Sequence, residues 1–167
     1  NVADRVPPVV TVIGDNPLEI DVNDGVYSDP GATAEDAYDG DVTAAITVEN
    51  LVEATVVGSY TVSYTVLDDA GNEGTGVRSV LVRDYDAPTI ELIGDALVRV
   101  PVFLADCYTE AGANAYDNYD DDGYLTDQIV ISGTVNCDVV LDYPITYNVV
   151  DSSGNPAETV TRTVQVY

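Results

Sequence analysis

The sequence predicts an all-β protein made of two antiparallel β-sandwich modules in tandem, residues 1–85 and 86–167. Three observations carry this. Val, Thr, Ile and twelve Tyr are abundant, and such β-branched and aromatic side chains fit a pleated, half-buried surface. No window sustains a 3.6-residue apolar period, so helix is minor. Finally, four landmarks occur twice in the same order, the signature of an internal repeat.

Taken in order, each element of the first half returns in the second. "PPVVTVIGDNPLEIDV" (Pro7 to Val22) comes back as "APTIELIGDALVRVPV" (Ala87 to Val102), offset by 80 residues. "YSDPGATAEDAYDGD" (Tyr27 to Asp41) becomes "YTEAGANAYDNYDDD" (Tyr108 to Asp122), offset by 81. "YTVSYTVLDDAGN" (Tyr60 to Asn72) matches "YPITYNVVDSSGN" (Tyr143 to Asn155) at 83, and "VRSVLV" (Val77 to Val82) matches "TRTVQV" (Thr161 to Val166) at 84. The offset creeps through small loop insertions. Val62, Tyr64 and Val66 face one way while Thr61, Ser63 and Thr65 face the other, and Ile145, Tyr147 and Val149 repeat the scheme. Runs of this kind are separated by "GDNP", "SDPG", "YDGD" and "DDAGN", all turn-forming. About seven short strands per module is the pattern of a sandwich.

These strings resemble the bacterial immunoglobulin-like (Ig-like) surface-protein repeats, related to HYR and cadherin-like modules, over nearly all of both halves. The second half departs from that pattern, with "TEAGANA" in place of "DPGATA", two added residues near "DDDG" and two Cys. The resemblance implies two tandem Ig-like sandwiches in an extracellular or cell-surface protein. It implies a non-catalytic stalk, spacer, adhesive segment or fibre subunit, with neighbouring modules or other copies as partners.

Charge narrows the partners. Thirty acidic residues face five basic ones, all Arg, for a net charge of −25. Such a field repels nucleic acid and anionic lipid, and no apolar run is long enough for membrane insertion as a helix. Divalent cations are the natural counterparts.

Two acidic knots are the candidate metal sites. "DAYDGD" places Asp36, Asp39 and Asp41 around Gly40, and "DNYDDDG" places Asp117, Asp120, Asp121 and Asp122 ahead of Gly123. Carboxylates crowded together repel unless a cation sits among them, and calcium takes oxygen ligands of this type. The spacing is not that of an EF-hand loop, since the twelfth position from Asp36 is Thr47. Two readings therefore stand: a calcium site, or solvated Asp-Gly turns.

Cys107 and Cys137 occur in one module only, 30 residues apart, which predicts a disulfide and an oxidising exterior. Arg78 and Arg162 occupy equivalent places on the core-facing side of the last strand. Each either reaches a loop carboxylate as a bidentate pair or lies at an exposed strand end with its stem over apolar surface. Both roles are structural. With no His or Lys, the residues available for acid–base or nucleophilic work are few, and an enzyme is not expected. The alternative function is a carbohydrate-binding accessory module, with Tyr116, Tyr119 and Tyr124 beside the second knot as a stacking wall for a glycan. A homopolymer is a further expectation, built by lending the Val6 to Val12 run to a neighbouring sheet edge; the same run also fits as the first strand of its own sandwich.

Overall fold

The computed structural model describes residues 4–103 and 107–167. It divides into two compact units, Asn1–Asp84 and Tyr85–Tyr167. The first contains β1 (Val9–Val12), β2 (Leu18–Asp21), β3 (Ala32–Asp36), β4 (Gly40–Asp41), β5 (Thr47–Asn50), β6 (Gly58–Leu67) and β7 (Glu73–Arg83). One sheet runs β1-β3-β4 and the other β2-β7-β6-β5. The second unit contains β8 (Thr89–Leu92), β9 (Leu97–Val100), β10 (Ala113–Tyr116), α1 (Asp122–Asp127), β11 (Val130–Ser132), β12 (Asp142–Asn148) and β13 (Val160–Val166). Its sheets are β8-β10 and β11-β12-β13-β9.

The repeated Pro7 to Val22 string is not a hairpin. Its two extended runs enter different sheets, β1 pairing with β3 and β2 with β7. Because the chain changes sheet between them, β2 runs parallel to β7, with Leu18 opposite Val80, and β9 likewise runs parallel to β13. The otherwise antiparallel sandwich thus contains one parallel pair per module. Val9–Val12 is taken up as β1 in its own module.

Alternation sets the cores. Val62, Tyr64 and Val66 of β6 and Arg78, Val80 and Val82 of β7 are buried; Ile145, Tyr147, Arg162, Val164 and Val166 repeat the arrangement. Val10, Val12 and Ile20 pack on the first set, and Ile90, Leu92 and Val98 on the second. Each fully buried Val contributes roughly 1.5–3 kcal/mol relative to exposure. Two glycines in β7 let the sheets close. A Cβ at Gly74 would lie 2.2 Å from the Pro8 carbonyl oxygen, and one at Gly76 would lie 2.7 Å from Val10 Cγ1. A strand glycine here marks close backbone approach rather than a turn.

The two residues added to the second module sit in α1. The first module makes a single 3-10 turn at Thr43–Ala45, whereas the second makes the six-residue helix Asp122–Asp127, with Leu125 buried beneath it. Thr43 and Thr126 do the same work, each hydroxyl accepting from the amide of a core alanine, Ala34 at 2.9 Å and Ala115 at 3.0 Å.

Candidate functional site

Arg78 and Arg162 are 0% and 1% exposed, so the reading as exposed strand ends is corrected in both modules. Val62 faces Arg78 across the β6–β7 ladder, which turns the guanidinium inward among core side chains. Arg78 Nε donates to Asp29 Oδ1 at 3.1 Å. Its other nitrogens donate to backbone, Nη1 to the Asp15 carbonyl and Nη2 to those of Ile13 and Gly31. Tyr27 and Tyr64 add hydroxyl bonds to Asp29 at 3.0 and 2.7 Å. The expected bidentate pair is therefore a one-nitrogen ion pair, because the rest of the fork satisfies loop carbonyls.

The second module rebuilds this arrangement with a longer acid. Glu110 stands at the position of Asp29, reaches Arg162 Nη1, and accepts the hydroxyls of Tyr108 and Tyr147. Arg162 Nε and Nη2 then bond the Asp95 and Ile93 carbonyls at 3.1 and 2.6 Å. The substitution in "TEAGANA" thus preserves the contact. Burial acts to raise the Asp29 carboxyl, but the hydrogen bonds from Tyr64, Tyr27 and the Gly31 backbone and the Arg78 charge outweigh it and hold it below the usual carboxylate range. Glu110 is lowered in the same way. Burial first, then the same carboxylates, push the phenols of Tyr27, Tyr64, Tyr108 and Tyr147 up.

The signs give a pH prediction. A lowered carboxyl stabilises the native state above its unfolded pKa, near 4, and that contribution is lost as pH falls through the lower folded value. A raised phenol stabilises below its unfolded pKa, near 10, and that contribution is lost as pH rises toward the folded value. Melting midpoints by circular dichroism should form a plateau between about pH 5 and 9 and fall on both sides. A midpoint unchanged from pH 7 to pH 11 would contradict the assignment of the tyrosines.

The acidic knots separate into two kinds of residue. Asp36 closes β3, and its Oδ1 accepts the amides of Tyr38 and Asp39 at 2.7 and 3.0 Å. Asp39 Oδ2 accepts the amide of Asp69 at 2.9 Å, tying this turn to the β6–β7 turn. There Asp68 accepts the Asn72 amide and side chain, both at 2.7 Å. Asp4, from the segment ahead of β1, completes the group: one carboxylate oxygen from each of Asp4, Asp36, Asp39 and Asp68 lies within 4.8 Å of the others. Asp41 is not in this group; it is exposed and accepts the Thr43 amide at 2.9 Å.

The second module repeats the scheme. Asp117 Oδ1 accepts the amides of Tyr119 and Asp120 at 2.9 and 3.1 Å, Asp120 Oδ2 accepts that of Ser152 at 2.8 Å, and Asp151 holds Asn155. Oxygens of Asp120 and Asp151 lie within 4.8 Å of each other. Asp121 is the N-cap of α1, accepting the Tyr124 amide at 3.0 Å, and Asp122 is an exposed first-turn residue. Asp4, Asp68 and Asp151 were missed by the sequence reading. "LDDAGN" and "VDSSGN" look like plain turns, and only the fold brings them against the knots.

Cys107 and Cys137 are joined in a disulfide. Many of the tyrosines are structural. Tyr60 and Tyr143 return their hydroxyls to the carbonyls of Val56 and Val139, four residues upstream, an arrangement that fixes the corner before a sandwich strand. At least six of the twelve tyrosine hydroxyls are engaged in this way or with Asp29 and Glu110.

Two sheets per module, a sheet-switching first string and a buried arginine under the last strand define a tandem of Ig-like β-sandwiches. The chain belongs to the family described as bacterial surface protein, Ig-like domain, whose model matches residues 10–82 and again 90–166. No curated protein sequence matches it. Among solved structures, it is similar to the lipoprotein BT2262 from Bacteroides thetaiotaomicron at 15% identity, over 93% of this chain and 99% of that one, with a TM-score of 0.41. Fibronectin(III)-like modules of Clostridium thermocellum CbhA align at 14% identity over 94% and 93%, with a TM-score of 0.34. The M60 catalytic domain with CBM51-1 and CBM51-2 from Clostridium perfringens ZmpB aligns at 13% identity, with a TM-score of 0.42. That match covers 95% of this chain and 30% of the other.

Proposed function

We propose that the chain is a non-catalytic structural tandem of the bacterial surface, a spacer or adhesive segment that bears tension between neighbouring modules or other copies. The observation supporting this reading is the parallel pairing of β2 with β7 and of β9 with β13. Each module begins with a short strand of the other sheet, β1 or β8, continues into β2 or β9, and ends with β7 or β13, so once the first strand yields the pull falls on the parallel pair. Tension along the chain therefore loads the parallel ladder along its length, so its hydrogen bonds resist together instead of opening one at a time. The buried arginines reinforce that pair, since each ties the loop leading into β2 or β9 to the last strand.

Single-molecule stretching of the oxidised chain tests this. Two discrete force peaks are expected, one per module. The second releases about 30 fewer residues because the disulfide withholds its loop, a shortfall of roughly 100 Å at about 3.3–3.6 Å per residue. Modules that lengthen without a force peak would overturn the load-bearing reading.

Carbohydrate binding has one observation in its favour. Tyr116 is exposed and lines an open groove of about 480 Å³ together with Asn114, Asp122, Gly123, Thr126 and Asp127. A glycan array comparing the native chain with Tyr116→Ala decides that reading: binding lost in the variant supports it, and no binding by the native chain removes it.

A further inference from the structure

We infer that Asp4, Asp36, Asp39 and Asp68 form a calcium site in the first module, a proposal that stands whether or not the chain bears load. The four carboxylates come from three separate stretches: the segment before β1, the β3–β4 turn and the β6–β7 turn. Asp36 is 7% exposed. Its Oδ1 is used by two backbone amides, and its Oδ2, like Asp4 Oδ2, is buried with no hydrogen-bond partner. A buried carboxylate oxygen without a partner is costly, and here it lies among three further acids, none of which forms an ion pair with a basic group among the described residues. The fold thus holds together what Coulomb repulsion drives apart, and a cation at this point removes both penalties.

The donor set selects the ion. One oxygen from each of four carboxylates covers more than half of the roughly six to eight that calcium takes, and a second oxygen from any of them, a carbonyl or water completes the shell. Magnesium keeps most of its water and is held by one or two carboxylates, while zinc and copper prefer the imidazole and thiolate ligands that are missing from this group. The turns also leave the site prepared. Amides of Tyr38, Asp39 and Asp69 fix the Asp36 and Asp39 carboxylates, and Asn72 fixes Asp68, which lowers the ordering needed when the ion binds. Asp117, with its own buried, unpartnered Oδ2, Asp120 and Asp151 show the same turn chemistry in the second module.

The test is a calcium titration of the full oxidised chain, stripped with chelator, in about 0.15 M NaCl and followed by amide NMR. The amides of Tyr38, Asp39 and Asp69 should shift saturably with calcium at concentrations at least tenfold below those needed with magnesium. Asp36→Asn keeps an oxygen for the Tyr38 and Asp39 amides, so the turn survives, and the calcium response should weaken tenfold or more. Asp39→Asn, at an exposed position, should show the same loss and covers the case in which the buried substitution disturbs folding. Asp41→Asn, outside the group, should titrate within twofold of the native chain. Equal, unsaturable shifts with both ions would mean counterion screening only and would overturn the proposal, as would an Asp36→Asn variant that titrates like the native chain.

Discussion

Replacing Arg78 with Met is expected to lower the stability of the first module by about 3–5 kcal/mol, the range for removing one partner of a buried ion pair. Met fills much of the same volume, so the loss is not a cavity effect. It arises because Asp29 keeps its charge while losing its cation, and because the carbonyls of Ile13, Asp15 and Gly31 lose their donor. Chemical denaturation should show the first module unfolding well before the second, which has its own core. Arg78→Lys should recover little, since one ammonium does not reach a carboxylate and three carbonyls arranged around a planar fork. A Lys variant as stable as the native chain would show that charge alone matters there.

Reducing the Cys107–Cys137 bond is expected to destabilise the second module by about 3–4 kcal/mol, from the loop entropy of a cross-link spanning 30 residues. For a unit of this size that is a fall in melting temperature on the order of 15 °C. The first module contains no Cys and should not respond. Calorimetry with and without reductant therefore assigns the two transitions. If both fall together, the modules do not unfold independently.

Much of the fold was legible because the cores are built from strict alternation. Val62, Tyr64 and Val66 announce their inward face in the sequence, and the matched second copy confirms the spacing without any alignment. The sheet switch was not legible, because "VVTVIGDNPLEIDV" has the same apolar, turn, apolar pattern whether its arms pair with each other or with different partners. The acidic site was half legible. Asp36 and Asp39 stand out by local crowding, but Asp41, Asp121 and Asp122 crowd equally and act as turn or helix residues, Asp41 by accepting the Thr43 amide in its turn and Asp121 by capping α1. Asp4 and Asp68 join the group from 32 residues before Asp36 and 32 after it, a separation that local spacing does not reveal. For Arg78 and Arg162, the alternation gave the right face, and only the packed structure showed the loop carbonyls waiting above it.

The paired arginines also bear on how two homologous modules in one chain avoid exchanging parts. Tandem domains of similar sequence are prone to misassembly in which a strand of one completes the sheet of the other. Here the last strands are not interchangeable: Arg78 meets a short acid through Nε, and Arg162 meets a longer one through Nη1. A β7 segment lodged in the second module would set a guanidinium against a carboxylate placed for a different nitrogen, with buried carbonyls left over. Within a single module, a one-residue slip of β7 would turn the charge outward and bring Val77 and Ser79 into its place. The internal arginine thus favours its own module's strand over its neighbour's, since each carboxylate is placed for the guanidinium of its own module.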